Sequence, residues 1–469
     1  MTLAPSRPTV SAWSGLDEVP GGLRTTMAAS VARRLFVAAV RRLPVTVEVA
    51  CADPVDAVDA VDVRAAATYG RGGPRMVVRR PDELFARLGR DGLIGFGEAY
   101  LTGAWDAEDL SGFLTVLAAE MGDLVPRPLQ AARALAVPRT PRRHRNTTHG
   151  SRDNIAHHYD LSNELFQLFL DPSLSYSSAL FASDVVERGD HRQATTPYSA
   201  GSSLESGLDV GHVSGHVSGH VSGEDLLEAQ ARKVERLLDQ AGVGRGSRVL
   251  EIGTGWGELA IRAARRGARV HTITLSVEQQ ALAEQRIAAA GLSDLVDVEL
   301  CDYREVSTGP SRGVRYDAVV SVEMVEAVGH EYWATYFQTI DRVLAPGGKV
   351  ALQAITMPHA RMLATRSTFT WINKYIFPGG FLPSVEAIDE ITRERTGLRV
   401  TDRLSMGAHY AETLRRWDES FIQASARVRE LGFDETFVRM WHFYLSYARA
   451  GFASGYLDVQ QLTLTRDPA

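Results

Sequence analysis

The sequence predicts an α/β fold, a doubly wound parallel sheet with helical lid elements, joined to a smaller N-terminal domain. Three observations lead there. From Asn146 onward, strand-length apolar runs alternate with helical patterns, as βαβ units require. Val249-Leu-Glu-Ile-Gly-Thr-Gly-Trp-Gly257 is an apolar strand that ends in a glycine-packed turn. Leu344-Ala-Pro-Gly-Gly-Lys-Val-Ala-Leu-Gln-Ala-Ile355 closes the alternation with a turn and a fifth strand.

At 469 residues the chain is long enough for two domains, and an apolar content of 45% with a net charge of −6 suits a globular enzyme rather than a general nucleic-acid binder. Two cysteines, Cys51 and Cys301, define neither a disulfide framework nor a metal cluster. No secretory segment and no long uncharged apolar run is present, so a cytoplasmic location is expected, with any membrane contact peripheral and on the inner face.

Residues 1–24, polar and rich in Pro, Gly and Ser, read as a loose terminus, and residues 25–137 as the N-terminal domain. Within it, Thr26 to Arg42 mixes Val, Leu and Phe with Arg33, Arg34, Arg41 and Arg42. That pattern fits a docked surface helix or one that lies on anionic lipid. Val55 to Asp62 reads as a solvated acidic segment, and residues 81–120 as helices around the turn Gly95 to Asp106. Residues 138–150 form a proline-broken basic linker, equally consistent with phosphate binding and with plain solvation. Residues 151–469 make up the α/β domain, interrupted by a Ser-, Gly- and His-rich insertion at about 184–223. There His212, His216 and His220 recur every four residues, but glycine at the same period undermines a helix. A surface insertion is expected and no metal site.

The glycine turn is the main lead to function. Gly253, Gly255 and Gly257 turn strand into helix without Cβ clashes and leave amide groups facing a polar ligand. The spacing is G-x-G-x-G rather than the dinucleotide G-x-G-x-x-G, and the next strand, Ala268 to Thr274, carries no acidic residue for a ribose, which argues against NAD. Glu251, inside an apolar strand, is placed to meet a cationic amino-acid group. The E-x-G-x-G opening resembles that of class I S-adenosylmethionine (SAM) methyltransferases; the alternative is a tight structural turn. Ser276 and Gln279 spell a capping box, and Thr274 and Gln279 are equally placed to bind the ribose and methionine ends of a nucleoside. Asp302 and Tyr303, at the end of Val296 to Arg304, lie where this fold contacts adenine, with Asp302 expected to accept from the amino group. Tyr176, Ser177 and Leu275 complete the expected cofactor-binding set. Glu323 and Glu326 follow the strand that begins at Tyr316, at the edge where open parallel sheets bind ligands.

With these residues in view, the chain resembles the cyclopropane-fatty-acyl-phospholipid synthases and the related mycolic-acid methyltransferases over roughly residues 80–465. The likeness lies in separated motifs: His157-His-Tyr-Asp-Leu-Ser-Asn-Glu-Leu-Phe166, Tyr176-Ser-Ser-Ala-Leu-Phe181, Met324-Val-Glu-Ala-Val-Gly329, Phe377-Pro-Gly-Gly-Phe-Leu-Pro-Ser384 and His409-Tyr-Ala-Glu-Thr-Leu414. Gly97-Glu-Ala-Tyr-Leu-Thr-Gly103 is similar to the lipid-associated N-terminal domain of the full-length synthases.

The resemblance implies methyl transfer from SAM to the cis double bond of a phospholipid acyl chain through a carbocation. Tyr176, Phe369, Trp371, Tyr375, Phe377 and Tyr444 are then candidates to stabilise the cation, or plain core. It also implies a base, which in the family is a bicarbonate held by a cysteine, a glutamate, a histidine, an isoleucine and a tyrosine. Glu326, Ile355 and Tyr410 match that set, whereas Ser178 replaces the cysteine and Gln353 the histidine. Bicarbonate is therefore compatible with the sequence without being required by it. The changed site leads us to expect a methylene-branched product, a 10-methyl stearate precursor, as in the actinobacterial enzymes of methyl-branched stearate synthesis that this chain resembles. No NAD or flavin motif is evident, so saturation would fall to a separate reductase. Cyclopropane formation is the first alternative; a small-molecule methyltransferase and a non-catalytic lipid-binding protein are the others. An anionic membrane surface is the expected partner, nucleic acid is not, and a homo-oligomer is left open.

Overall fold

The computed structural model describes residue 13 and residues 15–50, 65–120, 162–182, 224–307 and 313–466. The acidic segment at 55–62, the basic linker, the His-rich insertion, Cys51 and residues 157–161 of the first motif lie outside the described residues.

Two sheets are present among the described residues. The smaller joins β1 (Thr46–Ala50), β2 (Ala65–Gly70), β3 (Arg75–Val78) and β4 (Trp105–Ala107) in the order β2-β1-β3-β4, antiparallel except for the β1/β3 pair. Alternation writes it: Val47, Val49, Met76 and Val78 are buried on one face. A Cβ at Gly70 would sit 1.8 Å from the Val45 carbonyl oxygen, so that turn admits only glycine. The following helix Pro81–Asp91 starts on proline, carries Asp82 and Glu83 in its first turn and Arg90 in its last, and so matches its dipole at both ends.

The larger sheet contains β5 (Arg248–Ile252), β6 (Arg269–Thr274), β7 (Val296–Leu300), β8 (Tyr316–Val322), β9 (Leu344–Thr356), β10 (Leu398–Ser405) and β11 (Asp458–Arg466), in the order β10-β11-β9-β8-β5-β6-β7. Strands β5 to β9 are parallel, as expected. Consecutive residues of the central strands enter different cores: Val249, Ala318 and Ala351 pack in one with the helices Leu226–Gln240 and Glu258–Arg265. Leu250, Val319 and Val350 pack in the other with Trp333–Val343 and Val385–Arg395. That split is the double winding. The sheet departs from the all-parallel expectation at one edge, where β11 runs antiparallel to β9 and β10 antiparallel to β11. The polar alternation of Val-Thr-Asp-Arg and Val-Gln-Gln conceals these strands in the sequence. The turn expected before β9 is absorbed into the strand, with a register shift opposite Tyr316 and Ala318.

The helix Leu23–Val40 confirms the expected N-terminal helix and rests on Pro81–Asp91. A third core, containing Trp105 and Phe113 from the N-terminal part, continues through Trp417, Trp441 and Phe443 of the C-terminal helices Gly407–Gln423 and Glu435–Ala453. Polar contacts cross the same boundary, two of them meeting on the buried Glu98. Arg439 Nε donates to the Tyr100 carbonyl at 2.8 Å, Tyr375 OH to Glu98 at 2.9 Å, and Lys374 pairs with that same carboxylate. Among the described residues no helix is long and apolar enough to cross a membrane.

Candidate functional site

The glycine turn opens a pocket at the C-terminal end of β5. Gly253, Gly255 and Gly257 all take positive φ, at 101°, 52° and 88°. Their surroundings differ. A Cβ on Gly253 would meet Met324 Cγ at 2.6 Å, and one on Gly255 would meet nothing within 4 Å, because that position faces the open pocket. Gly257 lies elsewhere. It precedes the helix Glu258–Arg265, and a Cβ there would lie 3.2 Å from that of Ala283, so it serves the approach of the helix Val277–Ala289 rather than a ligand.

Of the expected cofactor residues, Tyr176, Ser177, Glu251, Gly253, Gly255, Thr274, Leu275, Gln279 and Tyr303 line this one pocket. Gly257 and Asp302 do not. The Asp302 carboxylate is turned to Arg304, with contacts of 2.8 and 2.6 Å, whereas its neighbours Cys301 and Tyr303 face the pocket. The capping box is only half formed. Ser276 Oγ accepts from the Gln279 amide, but the Gln279 side chain accepts from Thr274 Oγ1 at 3.0 Å and is thereby held at the pocket wall.

Two polar atoms that line the pocket have no hydrogen-bond partner among the described residues, Glu251 Oε2 and the Tyr303 hydroxyl. Leaving such groups buried and unsatisfied costs roughly 1–3 kcal/mol each, and a polar ligand relieves it. Burial pushes the Glu251 carboxyl up to about 8, with hydrogen bonding to Thr272 and the charge of Lys233 opposing the rise. An ammonium group and a nucleoside fit this arrangement.

Lys233, which the sequence reading passed over, is also in the pocket. Its Nζ donates to Ser177 Oγ at 2.7 Å, and burial lowers its pKa to about 8. The available signal was rarity: the chain has three lysines against a background of arginines, and this one sits on the inner side of an amphipathic helix.

Next to the pocket, the three residues that match the family set and the two that replace its cysteine and histidine lie together. Ser178, Glu326, Gln353, Ile355 and Tyr410 surround two carboxylates rather than one. Glu323, a pocket-lining residue that the sequence placed near the sheet edge without a role, accepts from the Ser178 amide at 2.9 Å, from Gln353 Nε2 at 2.9 Å and from Tyr410 OH at 2.8 Å. Glu326 accepts from the Ile355 amide, and its Oε2 is buried without a hydrogen-bond partner among the described residues. Burial, reinforced by the charge of Glu323, pushes the Glu326 carboxyl up to about 8. Burial raises Glu323 too, but its three donors oppose the rise, so Glu323 is the better candidate to carry the negative charge.

The His409 to Leu414 motif is the scaffold of this arrangement. His409 Nδ1 meets the Phe181 amide at 3.1 Å and Thr413 Oγ1 meets that of Ala179 at 3.1 Å, so one helix turn fixes the Ser178 strap while aiming Tyr410 at Glu323. Of the aromatic candidates, Tyr176 stacks on Trp417 at 5.2 Å and shares a 2.9 Å hydroxyl contact with Tyr444, which Phe377 meets edge-on. Phe369 packs against the same core. Trp371 and Tyr375 fit the plain-core alternative, since Trp371 packs on Phe443 and against Gly97 while Tyr375 reaches Glu98.

Comparison with known proteins places this geometry. The family described as mycolic acid cyclopropane synthetase matches residues 146–211 and 219–462. Tuberculostearic acid methyltransferase UfaA1 of Mycobacterium tuberculosis is 48% identical over 455 residues, covering 97% of this chain and 95% of that protein. Cyclopropane-fatty-acyl-phospholipid synthase of Escherichia coli K12 is 30% identical over 393 residues, or 83% and 87% of the two chains. Mycolic acid cyclopropane synthase CmaA1, solved with SAH and CTAB, superposes with a TM-score of 0.54 at 26% identity over 69% of this chain and 98% of its own. The cyclopropane synthase MmaA2 from Mycobacterium tuberculosis gives 0.53 at 27%, with the same coverage.

Proposed function

We propose that this chain, which belongs to the mycolic acid cyclopropane synthetase family and is a SAM-dependent methyltransferase, acts on the cis double bond of an unsaturated phospholipid acyl chain and releases a methylene-branched product. The observation that carries the reading is the end-to-end likeness to the tuberculostearic acid methyltransferase, which exceeds the likeness to the cyclopropane synthase in both identity and length.

The chemistry follows from the residues around the pocket. SAM supplies an electrophilic methyl group. We assign Glu251 to its ammonium, Tyr303 and the Thr274–Gln279 pair to the nucleoside, and Lys233 to its carboxylate. The alkene π pair forms the new carbon–carbon bond and leaves a cation on the neighbouring carbon. Tyr176 and Tyr444, whose rings sit in an aromatic cluster with Trp417 and Trp441, suit a cation that must not be captured by water. A hydride shift then puts the charge on the methyl-bearing carbon. Loss of a methyl proton leaves its C–H pair as an exocyclic double bond, and saturating that bond is left to a separate reductase.

The N-terminal part, proposed as a lipid-associated domain over residues 25–137, carries a surface suited to a bilayer. On the helix Leu23–Val40 the side chains of Leu23, Met27, Val31 and Leu35 recur every four residues and are 87%, 73%, 55% and 43% exposed. Arg24, Arg33 and Arg34 are exposed on the same helix, and no acidic residue occurs in it. An apolar stripe beside unopposed arginines favours peripheral attachment to an anionic leaflet.

The product is tested by incubating the protein with SAM and an oleoyl phospholipid and recording proton NMR. Exocyclic alkene signals are expected. Upfield cyclopropane methylene signals without them would replace the methylene reading by ring closure.

A further inference from the structure

We infer that Glu323 is the base that takes the proton from the methylated chain, so that this site works with its own carboxylate and without a bound bicarbonate. The inference rests on the proposed acyl-chain reaction and adds the identity of its base.

An anion held between the Ser178 strap, Gln353 and Tyr410 needs the Ser178 amide, the Gln353 side-chain amide and the Tyr410 hydroxyl. All three already converge on the Glu323 carboxylate, two on Oε1 and one on Oε2. The Ile355 amide is likewise engaged by Glu326. A free bicarbonate therefore does not fit: it would have to displace a fixed carboxylate and sit against its charge.

Three further features show that the arrangement is built. Glu323 holds φ at 52°, a left-handed conformation that costs a non-glycine residue about 1 kcal/mol or more and persists only where the surroundings over-determine it. Its own amide donates to the Gln353 carbonyl at 2.7 Å, which continues the β8/β9 ladder into the turn and aims the side chain inward. Gln353 is itself oriented, since its Oε1 accepts from Gln461 at 3.0 Å and its Nε2 also reaches the Ser178 carbonyl at 3.2 Å. Ser178 contributes through its backbone alone, because its hydroxyl turns to the Ala179 carbonyl. A glutamine in place of the family's histidine offers Glu323 an N–H at any pH and does not compete for the proton.

Glu323 lines the same pocket as Gly255 and Tyr176, and Glu326 does not. The proton balance closes on it: the methyl C–H pair becomes the new π bond, the proton passes to the Glu323 carboxylate, and solvent receives it before the next turnover.

The test measures turnover of the full chain with SAM and oleoyl phospholipid in carbon-dioxide-free buffer, with and without added bicarbonate. Wild-type turnover is expected to be indifferent to bicarbonate. Glu323→Gln, which keeps the shape and loses the base, is expected to lower kcat roughly 10²- to 10⁴-fold with little change in SAM affinity by calorimetry. Glu323→Gly empties the cradle, and bicarbonate or acetate is expected to restore part of its turnover. A wild-type rate that collapses without bicarbonate and returns with it overturns the inference. So does a folded, SAM-binding Glu323→Gly that no small carboxylate restores. Product identity is read by NMR on the wild type, so the base and the product can each fail alone.

Discussion

Lys233 and Glu251 line one pocket from different elements, and burial brings both close to the same pKa, about 8, from opposite directions. Without a ligand, therefore, Glu251 is mostly neutral at pH 7. An incoming ammonium favours its ionised form, and binding then releases a proton. SAM affinity is expected to rise between about pH 6 and 8 and to level off above, where Lys233 loses its own charge. Calorimetry at pH 7 in two buffers of different ionisation heat measures the released proton. Uptake, or no linked proton, would remove Glu251 from the ammonium site.

The same carboxyl links stability to pH. Its folded pKa lies above the ordinary 4.5, so between those values the folded state keeps a proton that the unfolded chain has lost, and stability falls as pH rises through the window. Glu251→Gln removes that burden. The ligand-free variant should melt a few degrees above wild type at pH 8 and nearly level with it at pH 5, while its SAM affinity drops at least about tenfold. A Tm difference that is the same at both pH values would show that Glu251 does not titrate in this way.

Gly255→Val tests the pocket itself. The position faces open space at φ 52°, so the new side chain enters the volume assigned to SAM and strains the turn besides. Loss of SAM binding by more than about a hundredfold is expected. Undiminished affinity in calorimetry would move the pocket elsewhere.

Much of this was legible in the sequence because the governing constraints are local. Glycine at the strand end, apolar strands beside amphipathic helices and the spaced family motifs each carry their meaning within a few residues. The pocket accordingly gathers nine of the eleven cofactor positions expected. Asp302 stands outside the lining because Arg304, two residues on, holds its carboxylate, and Gly257 because helix packing uses the same residue type as ligand approach. Glu323 and Lys233 failed for a different reason: their roles depend on donors or walls contributed from more than 50 residues away, as Ser178, Tyr410 and Ser177 show. Strand β10 was hidden because an edge strand carries polar residues without an apolar run, and β11 because Gln460, Gln461 and Thr463 break its apolar pattern although it lies inside the sheet.

The boundary between the N-terminal part and the methyltransferase sheet is closely fitted at Gly97. A Cβ there would lie 2.6 Å from the Trp371 ring, beside the Lys374 and Tyr375 contacts to Glu98. Gly97→Leu should therefore cost about 1–3 kcal/mol of stability through overpacking. Gly103→Ala, with φ 74° but no atom within 4 Å, serves as a control that carries only backbone strain. Denaturant midpoints that place the two variants level would show that Trp371 has room to move.

Membrane attachment should depend on the stripe formed by Leu23, Met27, Val31 and Leu35. Burying side chains of this size in a bilayer interface is worth roughly 1 kcal/mol or more each, and arginines near an anionic surface add about 1 kcal/mol apiece. Met27→Glu with Val31→Glu puts two charges into the exposed apolar face without touching the buried side of the helix, where Val40 enters the core. Sedimentation with phosphatidylglycerol liposomes should fall at least about tenfold for the double variant, and wild-type binding should weaken as salt shortens the reach of the arginines. Activity on a short-chain, detergent-dispersed lipid should survive in the variant, because the pocket lies on the other sheet. Binding that ignores both the substitutions and the salt would mean that this helix does not face the membrane.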